Sequence, residues 1–151
     1  MSPRKSRHVS SLTAGEMLFQ SDAGSLTALT ADRFPILEGL SVKRLVLEPG
    51  SIREPHWHAN ATELTYCLSG DLLVGMLGNS DSFSCFTIGS GQMFTAPSGS
   101  LHHIENVGDT TAELIVAFRD ERPEDFSFRA SLAAMSDAVL GNTYGLDASA
   151  F

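Results

Sequence analysis

Short runs of alternating apolar and polar residues, each closed by a turn-forming cluster, constrain this chain more than any other feature. The runs cover Leu40 to Leu47, Thr62 to Leu68, Asp71 to Leu77, Phe83 to Ile88, Gln92 to Ala96 and Ala112 to Phe118. Between them lie Pro49-Gly50, Ser69-Gly70, Gly78-Asn79-Ser80-Asp81, Gly89-Ser90-Gly91 and Gly108-Asp109. A period of two residues puts one set of side chains inside and the other outside a sheet. Strands this short and this evenly spaced predict an all-β antiparallel barrel or jelly roll. At 151 residues the chain is expected to form one domain with a two-sheet core.

The pattern changes after Arg119. Asp120-Glu121-Arg122-Pro123-Glu124-Asp125 reads as a charged loop. Arg129 to Leu140 has helical periodicity, with Leu132, Met135 and Val139 on one side, a stripe expected to pack on the barrel or on a second subunit. The division expected is a frayed arm over 1–15 and a single domain over 16–151. Within that domain the barrel spans about 36–120 and the helical appendage about 127–146.

A formal net charge of −8 argues against nucleic acid or an anionic membrane surface as partner. Positive charge clusters only at Arg4, Lys5 and Arg7, where a solvated tail is expected. No apolar run follows that start, and none is long enough to cross a bilayer, so a soluble, cytoplasmic protein is expected. Cys67 and Cys85 sit in apolar runs and read as free, buried thiols.

His56, His58, Glu63 and His102 carry the chemistry. His56 and His58 flank Trp57, so on a strand both imidazoles share a face while Trp57 points away. Ala59-Asn60-Ala61-Thr62 reads as a turn, with Glu63 opening the next strand; His102 follows the turn Pro97-Ser98-Gly99-Ser100. His103 should face the side opposite His102. Imidazole suits Mn, Fe, Co, Ni, Cu and Zn, and an added carboxylate shifts preference toward harder ions. Zinc is usually held by three protein ligands when catalytic and by four when structural. Four ligands with room for two further donors favour Mn(II) or Fe(II); Ni(II) and Zn(II) stay open.

The spacing around these residues is that of a known family. Gly50 stands five intervening residues before His56, Glu63 four after His58, and Gly70 six after Glu63. Gly91, Pro97, Gly99, His102 and Asn106 follow as a second block. Together they resemble the two blocks of the cupin superfamily over roughly residues 32 to 145. The closest likeness in motif is to oxalate decarboxylase-type bicupins and germins. It is carried by Gly50-Ser51-Ile52-Arg53-Glu54-Pro55-His56-Trp57-His58 and by Asp32-Arg33-Phe34-Pro35 upstream.

The resemblance implies a double-stranded β-helix, with His56, His58, Glu63 and His102 as metal ligands and Mn(II) as the frequent metal. It implies that Arg53 lies beside the metal and contacts a carboxylate substrate, a role suited to a guanidinium fork. It also implies a proton-returning acid in the charged loop, for which Glu124 is the choice, with Glu121 and Asp125 as competitors. Oxalate is the first substrate candidate. Dioxygenase or isomerase chemistry, or non-catalytic binding of a small ligand, remain alternatives, because a fold does not fix a function. Bicupins pair two domains in one chain; a single domain is expected to recover that arrangement as a homodimer, using the face around Leu132, Met135, Val139 and Leu140. Leu64, Tyr66, Leu73, Met76, Phe94 and Ile104 could line either the core or a pocket mouth.

Overall fold

The computed structural model describes residues 6–78 and 82–151 and folds them into two antiparallel sheets. The strands are β1 (Glu16–Ser21), β2 (Gly24–Leu29), β3 (Ser41–Leu47), β4 (Ile52–Trp57), β5 (Glu63–Ser69) and β6 (Asp71–Leu77). They continue as β7 (Phe83–Gly89), β8 (Met93–Ala96), β9 (Leu101–Asn106), β10 (Ala112–Phe118) and β11 (Phe126–Ser127). One sheet runs β1-β2-β3-β10-β5-β8 and the other β11-β4-β9-β6-β7. This is the jelly-roll barrel with a short helical C-terminus that the alternation and the motif spacing predict. The expected turn at Asn79, Ser80 and Asp81 and the basic residues Arg4 and Lys5 lie outside the described residues. No helix among the described residues is long and apolar enough to cross a membrane.

Alternation decides which residues face in. On β3 Ser41, Lys43, Leu45 and Leu47 are buried, and on β10 Ala112, Leu114, Val116 and Phe118. From the opposing sheet Leu72, Val74, Ile88 and Ile104 complete the core, with Met76 partly buried against it. Among the residues left open above, Phe94 and Ile104 belong to the core, whereas Leu64 and Tyr66 face outward. Each fully buried aliphatic or aromatic side chain contributes about 1.5–3 kcal/mol through water exclusion. Among the described residues no buried side-chain nitrogen or oxygen lacks a hydrogen-bond partner.

Three sequence expectations need correction. The sheet starts before residue 36, because β1 and β2 form a hairpin that extends it beyond β3. Met17-Leu18-Phe19 is a continuous apolar run on an edge strand with every residue exposed, so no alternation marks it. The helix expected over 129–140 is two helices, α1 (Phe128–Ala133) and α2 (Asp137–Tyr144). Ser136 breaks it: its side chain accepts from the Val139 N–H and caps α2. As a result Met135 and Val139 are exposed, while Leu132 is half-buried and Leu140 buried, so the stripe is not one continuous packed face. Cys67 is buried as expected, but Cys85 is exposed.

The two motif blocks meet through a turn. Gly99 adopts φ 81°, and its N–H donates to the His58 carbonyl at 2.8 Å. Ser98 Oγ donates to the Ala59 carbonyl at 2.6 Å. The turn that leads into His102 is thereby tied to the end of the strand carrying His56 and His58. Asn106, buried at the end of β9, donates from Nδ2 to the carbonyls of Leu47 and Thr110 and accepts from the Gly108 N–H. It works as a backbone staple between β3 and the β9–β10 turn.

Leu114→Ala, at a site with no solvent exposure, is expected to cost about 2–5 kcal/mol in denaturant unfolding. Leu64→Ala, on the outer face, is expected to cost well under half of that.

Candidate metal centre

The site is assembled by register across two strands and completed by a third. On β4 and β9 His56 and His102 are directly opposed, with ring centroids 4.3 Å apart. A register shift between Arg53 and His56 accommodates Pro55, which cannot donate to the ladder. His58 follows two residues later on the same face, and Glu63 enters from the first residue of β5. All four side chains are buried, and one donor atom from each lies within 4.8 Å of every other.

The ring orientations are set from outside. His56 Nδ1 bonds the Glu54 carbonyl at 2.7 Å, His58 Nδ1 the Glu124 carbonyl at 2.9 Å, and His102 Nδ1 the Ser100 carbonyl at 2.9 Å. A carbonyl can only accept, so each Nδ1 carries the hydrogen and each Nε2 is turned inward. His58 Nε2 and His102 Nε2 lie 3.1 and 3.3 Å from the same oxygen, Glu63 Oε2. The other carboxylate oxygen accepts from Thr65 Oγ1 at 2.5 Å. Nitrogen lone pairs and a carboxylate oxygen directed at one point repel. Only a positive charge, a proton or a metal ion, reconciles them. The donor set therefore fits a divalent metal bound by three imidazoles and one carboxylate.

Electrostatics point the same way. Burial pushes the Glu63 carboxyl up, but hydrogen bonding with His102, His58 and Thr65 outweighs it and holds the group well below the usual carboxylate range. Burial also opposes charge on His102, yet the bond and charge of Glu63 raise its pKa above the ordinary imidazole value. His56 is depressed to about 3 by burial and by the nearby Arg53 and His102 charges, leaving a neutral donor.

Arg53 lines the same small cavity as His56, His58 and Glu63, about 20 Å³ in volume. Its Nη2 donates to Asp125 Oδ2 at 2.5 Å. Asp125, rather than Glu124, is the loop acid whose side chain lines that cavity. Glu124 is exposed, and its contribution to the site is the carbonyl that orients His58. Glu121 is directed elsewhere and accepts from the Gly39 N–H. Asp125 is brought in by β11, where Phe126 pairs with Trp57 and stacks on it at 5.5 Å and 12°. Trp57 thus packs beneath a covering element, facing away from the ligand pair. His103 also faces away and bonds Glu105 at 2.9 Å.

Sequence reasoning passed over Lys43. It is 7% exposed, with Nζ 3.4 Å from Asp125 Oδ2 and 4.8 Å from the Phe118 ring centre. Burial pulls its pKa down, and Asp125 partly restores it. The signal was present: Lys43 shares the inward phase of β3 with Leu45 and Leu47. Burial likewise opposes the charge of Asp125, but the charges of Arg53, His56, Lys43 and His58 together outweigh it and hold the carboxyl below its ordinary value.

Calorimetric titration with Mn(II) is expected to give one ion per chain, and Glu63→Gln or His102→Ala to weaken binding by more than about 100-fold, since loss of an outer partner alone costs 10–100-fold. His102 must be neutral to ligate, and its raised pKa favours the competing proton. Affinity should therefore fall as pH is lowered, with the decline starting above the ordinary imidazole value of about 6.5.

Comparison with known proteins agrees with this geometry. Residues 10–150 match the family described as Cupin. The chain is 33% identical over 130 residues to germin-like protein 3-8 of Oryza sativa subsp. japonica, covering 82% of this chain and 58% of that protein. To germin-like protein subfamily 2 member 2 of Arabidopsis thaliana it is 34% identical over 117 residues, covering 76% and 53%. The chain thus spans somewhat over half the length of these relatives. Among solved structures, a deletion mutant of Bacillus subtilis oxalate decarboxylase superposes with a TM-score of 0.85 at 26% identity, over 92% of this chain and 36% of that one. A formate complex of the Lactobacillus farciminis oxalate decarboxylase shares the fold, with a TM-score of 0.84 at 22% identity over 91% and 40%. With family-wide coverage, both motif blocks in place and the four metal-ligand candidates clustered inside the barrel, the chain belongs to the cupin family.

Proposed function

We propose that this protein is a Mn(II)-dependent enzyme acting on a small carboxylate, with oxalate the first candidate. The observation that carries the reading is Arg53: a guanidinium lining the cavity of the histidine–glutamate cluster and already paired with a carboxylate, that of Asp125. A divalent ion held by His56, His58, Glu63 and His102 supplies Lewis-acid and one-electron chemistry to a ligated carboxylate when bound. The protein supplies the rest. Arg53 fixes the second carboxylate by a charge-assisted pair. Leu26, Leu45, Ile104, Val116 and Phe118 wall the cavity and exclude water.

Proton handling falls to the covering loop. Glu124, the sequence-based choice, would need the loop to rearrange before its exposed side chain could reach the cavity. Asp125 is already there and, with its pKa depressed, is ionised. Once a substrate carboxylate takes its place on Arg53, Asp125 can gain a proton from solvent and deliver it to carbon as carbon dioxide departs, so that oxalate dianion and one proton give formate and carbon dioxide. Without that delivery, oxidation to carbon dioxide and peroxide is the alternative outcome. The printed names of the solved neighbours, oxalate decarboxylases, support oxalate as the first substrate to assay.

One observation favours a second reading. A larger cavity of about 340 Å³, lined by Phe19, Leu26, Leu47 and Ile52, shares Arg53 with the small one. A carboxylate with an apolar substituent would fit across both and would place the protein among other metal-dependent cupin enzymes.

Manganese-loaded protein supplied with oxalate and oxygen is expected to release formate. Arg53→Lys should lower kcat/KM by about 10–100-fold, because an ammonium cannot reproduce the fork. Asp125→Asn should suppress formate while leaving metal content intact. Turnover of arylalkyl carboxylates with none of oxalate would instead establish the second reading. We also propose a homodimer, with Met135 and Val139, exposed in the single chain, covered by the second copy. Light scattering should give twice the chain mass, and a monomer at high concentration would refute it.

A further inference from the structure

Lys43 is an unusual residue to find on the inner face of a barrel. Its neighbours in phase are Ser41, Leu45 and Leu47, all buried. A buried lysine is costly unless an anion meets it. The anion that meets it, Asp125, comes from a loop far along the chain, and the same Oδ2 oxygen also receives Arg53. Two cations therefore converge on one carboxylate oxygen in the cavity that also exposes His56, His58 and Glu63. Glu63 is hydrogen-bonded to His58, His102 and Thr65, whereas Lys43 and Arg53 direct their hydrogen bonds to Asp125. With a divalent ion added, positive charge at the site exceeds the negative charge of Glu63 and Asp125 together.

We propose that Lys43 and Arg53 form a two-cation cradle for the outer carboxylate of a dianionic ligand, and that Asp125 fills this cradle until the ligand displaces it. The inference rests on the small-carboxylate reading and narrows it to ligands with two acidic groups. The exchange is one carboxylate for another, so neither the buried Lys43 nor the half-buried Arg53 is left unpaired. A ligand carboxylate has two oxygens, one for the guanidinium and one for the ammonium, whereas Asp125 meets both cations with a single oxygen. A monocarboxylate that spends its one acidic group on the metal leaves Asp125 in place and gains nothing from Lys43. Lys43 is thus a specificity-determining residue, and Asp125 an internal competitor.

The test is calorimetric binding of oxalate and of acetate to the manganese-loaded protein, with metal content measured for every variant. In the natural chain oxalate should bind at least about tenfold more tightly than acetate. Lys43→Met, which keeps the length and apolar stem, should weaken oxalate by about tenfold or more, leave acetate within about twofold, and leave metal content unchanged. Lys43→Arg should restore most of the difference. Asp125→Asn should tighten oxalate several-fold by removing the competitor, and it keeps the inference testable if Lys43→Met does not fold. Unchanged oxalate affinity in Lys43→Met, equal losses for both ligands, or weaker oxalate binding in Asp125→Asn would overturn the cradle while leaving the carboxylate reading standing. If the natural chain binds neither ligand, the carboxylate reading itself fails and the cradle falls with it.

Discussion

Glu63 brings a negative charge into the interior of a β-barrel, and much of the structure is arranged to meet it. A buried carboxylate is tolerated only with partners that supply positive charge or hydrogen bonds. His58, His102 and Thr65 supply them, and three backbone carbonyls behind the imidazoles hold every Nδ1 outward so that every Nε2 faces the same centre. Those carbonyls come from Glu54, Glu124 and Ser100, so the orientation of the rings depends on a strand, a covering loop and a turn at once. The arrangement is satisfied by protons or by a metal ion, and its ligand types and burial suit the second.

The same electrostatic logic extends outward. Beyond the histidine cluster lie Arg53 and Lys43, two cations with one acid between them. The covering segment brings Asp125 over this layer from outside the barrel strands. It is held at several points: Asn60 bonds the main chain of Arg122 and Glu124, Arg122 pairs with Asp32, and Phe126 stacks on Trp57. A loop anchored on both sides of Asp125 can exchange one ion pair for another without unfolding. That property joins binding at the cavity to the loop above it.

Much of this was legible from residues alone. Strand phase was readable where the buried face was also the more apolar one, as on β10, because a one-residue slip would reverse every side chain; on β5 it was not, since the outward residues Leu64, Tyr66 and Leu68 are the apolar ones. It was unreadable on β1, whose apolar residues lie on an exposed edge, and across Ser136, whose capping side chain ends a periodicity that otherwise continues. The candidate metal donors were legible because their types are chemically restrictive and they recur at set distances from turn glycines in two blocks. Among the acids of the 120–125 loop no such restriction operates. Neighbouring acids look alike in a sequence, and which of them enters a cavity depends on where the loop is pinned.

The sequence by itself therefore determined the barrel and the candidate donor set, since the first follows from local periodicity and the second from residue types and the spacing of two motif blocks, whereas the place of Arg53 was only what the resemblance implied. Tertiary structure alone decided that Asp125 rather than Glu124 lines the cavity, and that it meets Lys43, 82 positions away on β3. It also decided that His56 stands opposite His102. The physical reason is common to all of these: a charge inside a protein is defined by what faces it, and facing residues are set by strand register and loop anchoring, which bring together groups that the chain keeps far apart.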